Sequence, residues 1–235
     1  MKLAKLLLSS VVAFSLLHSS ATEPLGGKPP KDMKSSIKDY EYHLKYIYAY
    51  QSAMWAMPAV SIYGFRRATK AIGGDDNVIL AWSDVAHANS ELLTANNNTP
   101  YILSMTNLKK GPVVVEIPAV SKKALLYGQI VDYWQYAIAD VGPIGLDKGK
   151  GGKYLLLPPD FKGEIPKGYI VLHSPSYEVY FAFRSIKKPG ATFKDAYAYA
   201  KTMKMYYLND PKPTKFIDPS KKRFATLPQY DENFF

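Results

Sequence analysis

The chain has 235 residues, of which 47% are hydrophobic and 14% aromatic; this is a globular composition, long enough for one large domain or two small ones. It contains no cysteine, which excludes a disulfide framework, a thiolate zinc site, an iron–sulfur cluster, a Cys nucleophile and a lipidated cysteine at an export cleavage site. The net charge of +10 rests on Lys rather than on the four arginines (Arg66, Arg67, Arg184 and Arg223), and the lysine pairs are scattered among turns, whereas nucleic-acid readers cluster arginine on one element; no nucleic-acid partner is expected.

The first residues read as an address. Lys2 and Lys5 precede an apolar run from Leu6 to Leu17, followed by His18-Ser19-Ser20-Ala21. A positive start, a short apolar stretch and small residues at the exit describe a signal peptide over residues 1–21, cleaved near Ala21. The run is shorter than the ~20 apolar residues of a membrane span, and every later apolar run is interrupted by Lys, Asp, Gly or Pro. The expectation is an exported protein, periplasmic or secreted, with no integral membrane segment. Without Lys2 and Lys5 the balance is 28 basic against 20 acidic residues, a charge of +8.

Residues 22–34, with Pro24, Gly26, Gly27, Pro29 and Pro30, read as a flexible leading segment. Residues 35–95 read as a helical region. Ser36 with Asp39 offers a helix start, and Ile37, Tyr40, Leu44, Ile47, Tyr48, Met54 and Trp55 follow the helical rhythm. Pro58 should kink or end this helix, and a second is expected over Val60 to Ala71, stopped by Gly73-Gly74. The tyrosine-rich face (Tyr40, Tyr42, Tyr46, Tyr48, Tyr50) suits core packing or a homo-oligomer interface.

From Asn96 the pattern changes to strands. Tyr101–Thr106, Val113–Ile117, Ala124–Val131, Tyr133–Ala139, Tyr154–Leu157, Tyr169–Leu172 and Glu178–Phe183 are short runs of β-formers separated by Gly, Pro, Lys and Asp turns. This spacing predicts an antiparallel, Ig-like β-sandwich over residues 96–208, closed by a C-terminal helix from Thr192 to about Tyr207. The fold class is therefore α+β: N-terminal helices, a sandwich and a C-terminal helix. Residues 209–235 read as an extended tail, ending on Phe234-Phe235 as if leading to an absent second domain.

Common catalytic signatures are missing. His43, His87 and His173 are far apart in sequence, with no H-E-x-x-H or H-x-H spacing, so no metal site is assigned to them. There is no G-x-S-x-G. The stretch Gly145 to Gly152 lacks the G-x-x-x-x-G-K-[S/T] order of a phosphate loop. What remains is an ordered series: Asn96-Asn97-Asn98-Thr99-Pro100-Tyr101, Gly111-Pro112-Val113-Val114-Val115-Glu116-Ile117-Pro118, Gln129-Ile130-Val131-Asp132-Tyr133-Trp134, Gly152-Lys153-Tyr154-Leu155-Leu156 with Pro158-Pro159, and Arg184.

This series resembles the domain-of-unknown-function 1254 family, whose members show N-x-D-T-x-Y, G-P-x-V-x-E-x-P, Q-x-x-D-x-W, G-x-Y-L-x-x-P and a late Arg in this order. The resemblance runs from about Ser35 to Phe235. It implies a helical part, a β-sandwich and, usually, a following domain of a second uncharacterised family, domain of unknown function 1214; it carries no agreed reaction, cofactor or catalytic set. Asn98 stands where many relatives have Asp.

Bottom-up, the residues singled out are Asp132, Tyr101 and Arg184 for catalysis and Asn98, Gln129 and Trp134 for ligand binding. A carboxyl partly buried beside Tyr133 and Trp134 resists ionisation unless a cation pairs with it, and Arg184 is the natural cation. Motif order places Asp132 and Arg184 on neighbouring strands, close enough to pair. Two functions suit this set. One is a hydrolase- or lyase-like enzyme acting on a small polar or carbohydrate-like molecule, with Asp132 as base, Tyr101 as proton donor, Arg184 as anion holder and Trp134 as a stacking wall. The other is a non-catalytic binding or assembly module, or half of a split protein whose partner is a separate C-terminal-domain chain. No cofactor is named; Asp132 with the asparagines would hold Mg²⁺ or Ca²⁺ only weakly.

Overall fold

The computed structural model describes residues 39–92 and 94–227. The expected signal peptide, the leading segment, Ser36 and the terminal Phe234-Phe235 lie outside the described residues. The chain divides into two compact units, residues 1–49 and 50–235.

In the first unit, the Asp39 carboxylate accepts the Tyr42 amide at 2.9 Å and starts helix α1 (Tyr40–Ala71), and an exposed Lys45–Glu41 ion pair supports the first turn. Tyr40, Tyr42, Tyr46 and Tyr48 are exposed there.

Two expected helices are one. Pro58 lies inside α1 rather than at its end. Proline removes one N–H, but strong helix formers surround it (Ala53, Met54, Ala56, Met57, Ala59), and the Gln135 side chain donates to the Pro58 carbonyl at 3.0 Å. Beyond Pro58, Ile62, Phe65, Ala68 and Thr69 recur on one face, and packing of that face holds the helix straight through.

Among the described residues twelve strands follow: β1 (Val78–Ala81), β2 (Ser90–Glu91), β3 (Tyr101–Asn107), β4 (Val113–Ile117), β5 (Ala124–Asp132), β6 (Ala137–Val141), β7 (Gly152–Leu157), β8 (Ile170–His173), β9 (Glu178–Lys187), β10 (Lys204–Tyr207), β11 (Lys215–Ile217) and β12 (Phe224–Ala225). Helix α2 (Phe193–Ala200) stands between β9 and β10. The fold is α+β, as expected. A six-stranded sheet, β11-β1-β3-β9-β5-β6, faces a four-stranded sheet, β10-β4-β7-β8, and β12 pairs with β2. The centre of the sandwich is antiparallel; β1–β11, β7–β8 and β2–β12 pair in parallel.

Alternation decides which side chains meet between the sheets. Ile102, Phe181, Phe183, Leu126 and Ile130 point inward from the larger sheet and meet Val113, Val115, Tyr154 and Leu156 from the smaller. The opposite face of the larger sheet carries Leu80, Leu103, Met105 and Tyr180, and Ile62, Phe65 and Ala68 of α1 cover part of it. The molecule therefore has a third layer, and the site described below lies on this outer face.

The C-terminal helix is shorter than expected. Thr192 and Asp195 form a reciprocal capping box at its start, but Lys201 already ends it. From Met203 the chain alternates, with Met203 and Met205 buried and Lys204 exposed, and pairs with β4 instead. The tail also joins the fold: Lys215–Ile217 is an edge strand, and Phe224 is fully buried against Trp82, with ring centroids 5.3 Å apart.

Gly64 lets the tail approach α1 closely at Thr226. A Cβ there would collide with the Thr226 carbonyl oxygen, a backbone atom that cannot rotate away. Gly64→Ala gains about 1 kcal/mol of helix propensity but incurs about 1–3 kcal/mol of overpacking. A net loss of stability is expected in urea denaturation; an equal or higher midpoint would show that α1 has room to spare at Thr226.

Candidate functional site

Three adjacent strands build the site by register. On the outer face of the larger sheet, Tyr101 of β3, Arg184 of β9 and Tyr127 of β5 stand in one row. The next row is Leu103, Ala182, Gln129 and Asp140, and the next Met105, Tyr180 and Val131. Phe65 of α1 and Leu92 and Thr94 of the loop after β2 wall the rows in, leaving a cleft of about 430 Å³.

Arg184 dominates the chemistry of this cleft. Its guanidinium carbon lies 3.9 Å from the centre of the Tyr101 ring, a cation–π stack, and Nη1 donates to Thr99 Oγ1 at 3.3 Å. The Tyr101 hydroxyl accepts the Asn96 amide at 2.8 Å. Asn96 in turn folds the preceding loop, its Oδ1 accepting the amides of Asn98 and Thr99. Among the described residues no carboxylate lies within ion-pair distance of Arg184. A half-buried cation is thus oriented by an aromatic face and a hydroxyl without being neutralised.

Burial pushes the Tyr180 hydroxyl well above its ordinary range, Tyr101 adds to the shift and Arg184 offsets part of it. Gln129 donates from Nε2 to Asp140 Oδ1 at 2.9 Å, which sets its amide across β5 and β6.

Of the residues singled out in the sequence, the cleft gathers Tyr101, Arg184 and Gln129. Asn98 stands in the turn beside it, exposed, and contributes its backbone amide to the Asn96 cap. The organising asparagine is Asn96.

The expected Asp132–Arg184 pair does not form. Both residues do lie on neighbouring strands, but Asp132 registers with Val179 and Arg184 with Tyr127. Five residues along a strand separate the two positions by about 16 Å. Asp132 instead closes the β5–β6 hairpin: its side chain is buried and Oδ1 accepts the amides of Trp134 and Tyr136 at 2.9 and 2.8 Å. Trp134 stacks on Trp55, with centroids 4.3 Å apart, rather than walling the cleft. The asparagines stand at the Tyr101 end of the sheet and Asp132 at the other, so the weak oxygen site for a divalent cation is not assembled from them. Among the described residues no group of three His, Asp or Glu gathers anywhere.

Tyr127, Tyr180 and Phe65 were not anticipated. The signal was present in the alternation of Tyr180, Ala182 and Arg184 against the buried Phe181 and Phe183. A second cavity, about 440 Å³, opens beside β10 and β11, but Asp75, Asp76 and Asp210 balance Lys110, Lys212 and Lys215 in its lining, and four of the six meet in the pairs Lys110–Asp76 and Lys212–Asp210. The cleft around Arg184 is the stronger candidate because its charge is unopposed.

No curated protein matches the sequence. The crystal structure of the VPA0106 protein from Vibrio parahaemolyticus is similar at 21% identity, with a TM-score of 0.46, over 70% of this chain and 42% of that one. The chain thus spans less than half the length of that protein. Residues 77–207, more than half of the chain and the segment that builds most of both sheets, match the family described as "Protein of unknown function (DUF1254)". The chain belongs to the DUF1254 family.

Proposed function

We propose that the chain is an exported binding module that recognises a small anionic molecule in the cleft between Tyr101, Arg184 and Tyr127. One observation carries this reading: Arg184 is held in place by Tyr101 and Thr99 but, among the described residues, has no carboxylate partner. A guanidinium offers planar, paired N–H donors that fit a carboxylate edge to edge, and a partly desolvated one favours an anion more than a surface lysine does. The binding reading is preferred to the hydrolase or lyase reading because the carboxylate cast as general base, Asp132, is buried in a hairpin turn far from Arg184. Among the described residues no helix is long and apolar enough to cross a membrane.

The test is calorimetric titration with benzoate and its neutral isostere benzamide. Benzoate is expected to bind the more tightly, and Arg184→Gln to weaken it about 10- to 100-fold, the equivalent of one charge-assisted contact. Benzamide should scarcely respond. Equal benzoate affinity in both proteins would rule out Arg184 as the anion site.

A further inference from the structure

The cleft around Arg184 does not end at Tyr180. A second hollow, about 390 Å³, adjoins it and is lined by Ser61, Ile62, Val131, Gln135, Thr226 and Leu227. The two share Phe65, Gln129, Tyr180 and Ala182. Four common walls set the two hollows end to end along the outer face of β9, from Arg184 past Ala182 to Tyr180, about 13 Å of strand, with the Phe65 and Tyr180 rings in contact where they meet, centroids 5.2 Å apart; read together they form one trough.

Chemistry changes along that length. At the Arg184 end stand a cation, the Tyr101 and Tyr127 rings and the Thr94 side chain. At the other end Ile62, Val131 and Leu227 present aliphatic surface, with Phe65 and the buried, neutral Tyr180 between. From these observations we infer that the trough takes an amphipathic anion, a carboxylate carrying an unbranched aliphatic or aryl-aliphatic tail, with the headgroup on Arg184 and the tail lying over Phe65 and Tyr180 toward Leu227.

Two features support a tail rather than a second polar group. Among the described residues that line the far hollow there is no Lys, Arg, Asp or Glu. A charged extension there would find no group of opposite charge, whereas each methylene laid against Ile62, Val131 and Leu227 gains about the free energy of removing one CH₂ from water. Leu227 is 43% exposed, apolar surface that such a tail would cover.

This inference rests on the anion reading above, and a length series separates the two. The full chain is titrated with acetate, butyrate, hexanoate and octanoate, and with 1-octanol. Carboxylate affinity is expected to rise about fourfold per methylene up to the length of the trough. Octanol should bind at least about tenfold more weakly than octanoate. Arg184→Gln should abolish the difference between octanoate and octanol while keeping the dependence on length, and Arg184→Lys should restore part of it. Leu227→Asp, at an exposed position, should flatten the top of the series.

If acetate binding depends on Arg184 but the series is flat, the amphipathic inference is overturned and the anion site stands. If no carboxylate responds to Arg184→Gln, the anion reading falls and the inference falls with it. If octanoate binds equally well to wild type, Arg184→Gln and Leu227→Asp, it adsorbs elsewhere and the trough is not its site.

Discussion

Arg66→Met is expected to lower stability at neutral pH by about 1–3 kcal/mol, less than the cost of stranding a fully buried charge because Glu178 remains partly exposed. Arg66, on α1, reaches Asp76 with Nη2 at 3.0 Å and Glu178 with Nη1 at 2.8 Å. It thereby ties the helix to the start of β9. Burial opposes its charge, but Asp76 and Glu178 outweigh burial and hold the guanidinium above its ordinary pKa. Asp76 keeps Lys110 when Arg66 is gone; Glu178 keeps a hydrogen bond from the neutral amide of Asn107 and the more distant charges of Lys109 and Lys70.

The pH dependence fixes the sign. Burial raises the Glu178 carboxyl above its ordinary value, Arg66 offsets part of that rise and Asp76 adds to it. A carboxyl whose folded pKa is raised stabilises the native state below the unfolded value and loses that contribution as pH rises through the folded value. Taking Arg66 away raises the folded value further, so the ionised carboxylate becomes more costly at neutral pH while its protonated form does not. The gap between wild type and Arg66→Met should therefore shrink as pH falls toward about 4, where an ordinary glutamate titrates. Urea denaturation at both pH values measures it. Glu178→Gln is the control: the amide oxygen can still accept from Asn107, and the loss should be smaller. A gap independent of pH would mean that Arg66 acts through its methylenes alone.

The sandwich is legible as short runs of β-formers set between Gly, Pro, Lys and Asp turns. The runs beginning at Ala124 and Glu178 also alternate between buried and more exposed positions over part of their length, whereas Tyr101–Asn107 and Val113–Ile117 are buried on both faces and stand out by composition alone. Val78–Ala81 is buried on both faces as well, and four residues are too short a run to mark it. Lys204–Tyr207 was read as helix because Ala200, Met203 and Tyr207 fit that spacing equally well, and only pairing with β4 chooses between them. Pro58 misled in the other direction, because a rule about local chain geometry was overridden by packing beyond it.

The site was half legible for a related reason. Tyr101, Gln129 and Arg184 could be picked out by type, and strand neighbourhood placed Asp132 beside the strand of Arg184. Register, which a sequence does not print, moved Asp132 five positions away. The residues that complete the cleft, Tyr127 and Tyr180, carry no motif; they matter because Tyr127 falls in the row of Arg184 and Tyr180 in the row of Val131, next beyond that of Gln129.

That displacement gives Asp132 a different role and a measurable one. It is the last residue of β5, 4% exposed, and its carboxylate takes two backbone amides of the turn while its own amide donates to the Tyr136 carbonyl at 2.9 Å. Asp132→Ala removes both charge-assisted bonds and leaves two amides unpaired, and the expected loss is about 3–5 kcal/mol. Asp132→Asn keeps a neutral acceptor, so about half of that loss is expected. The turn also presents Trp134 to Trp55, and its opening should separate the rings and shift their emission to the red. Benzoate affinity should hold in folded Asp132→Ala, because Arg184 lies about 16 Å along the sheet. Octanoate should weaken modestly, since Gln135 of the same hairpin lines the far end of the trough. A variant that keeps wild-type stability and emission but loses benzoate would return Asp132 to the binding site and refute its assignment as the clamp of the β5–β6 turn.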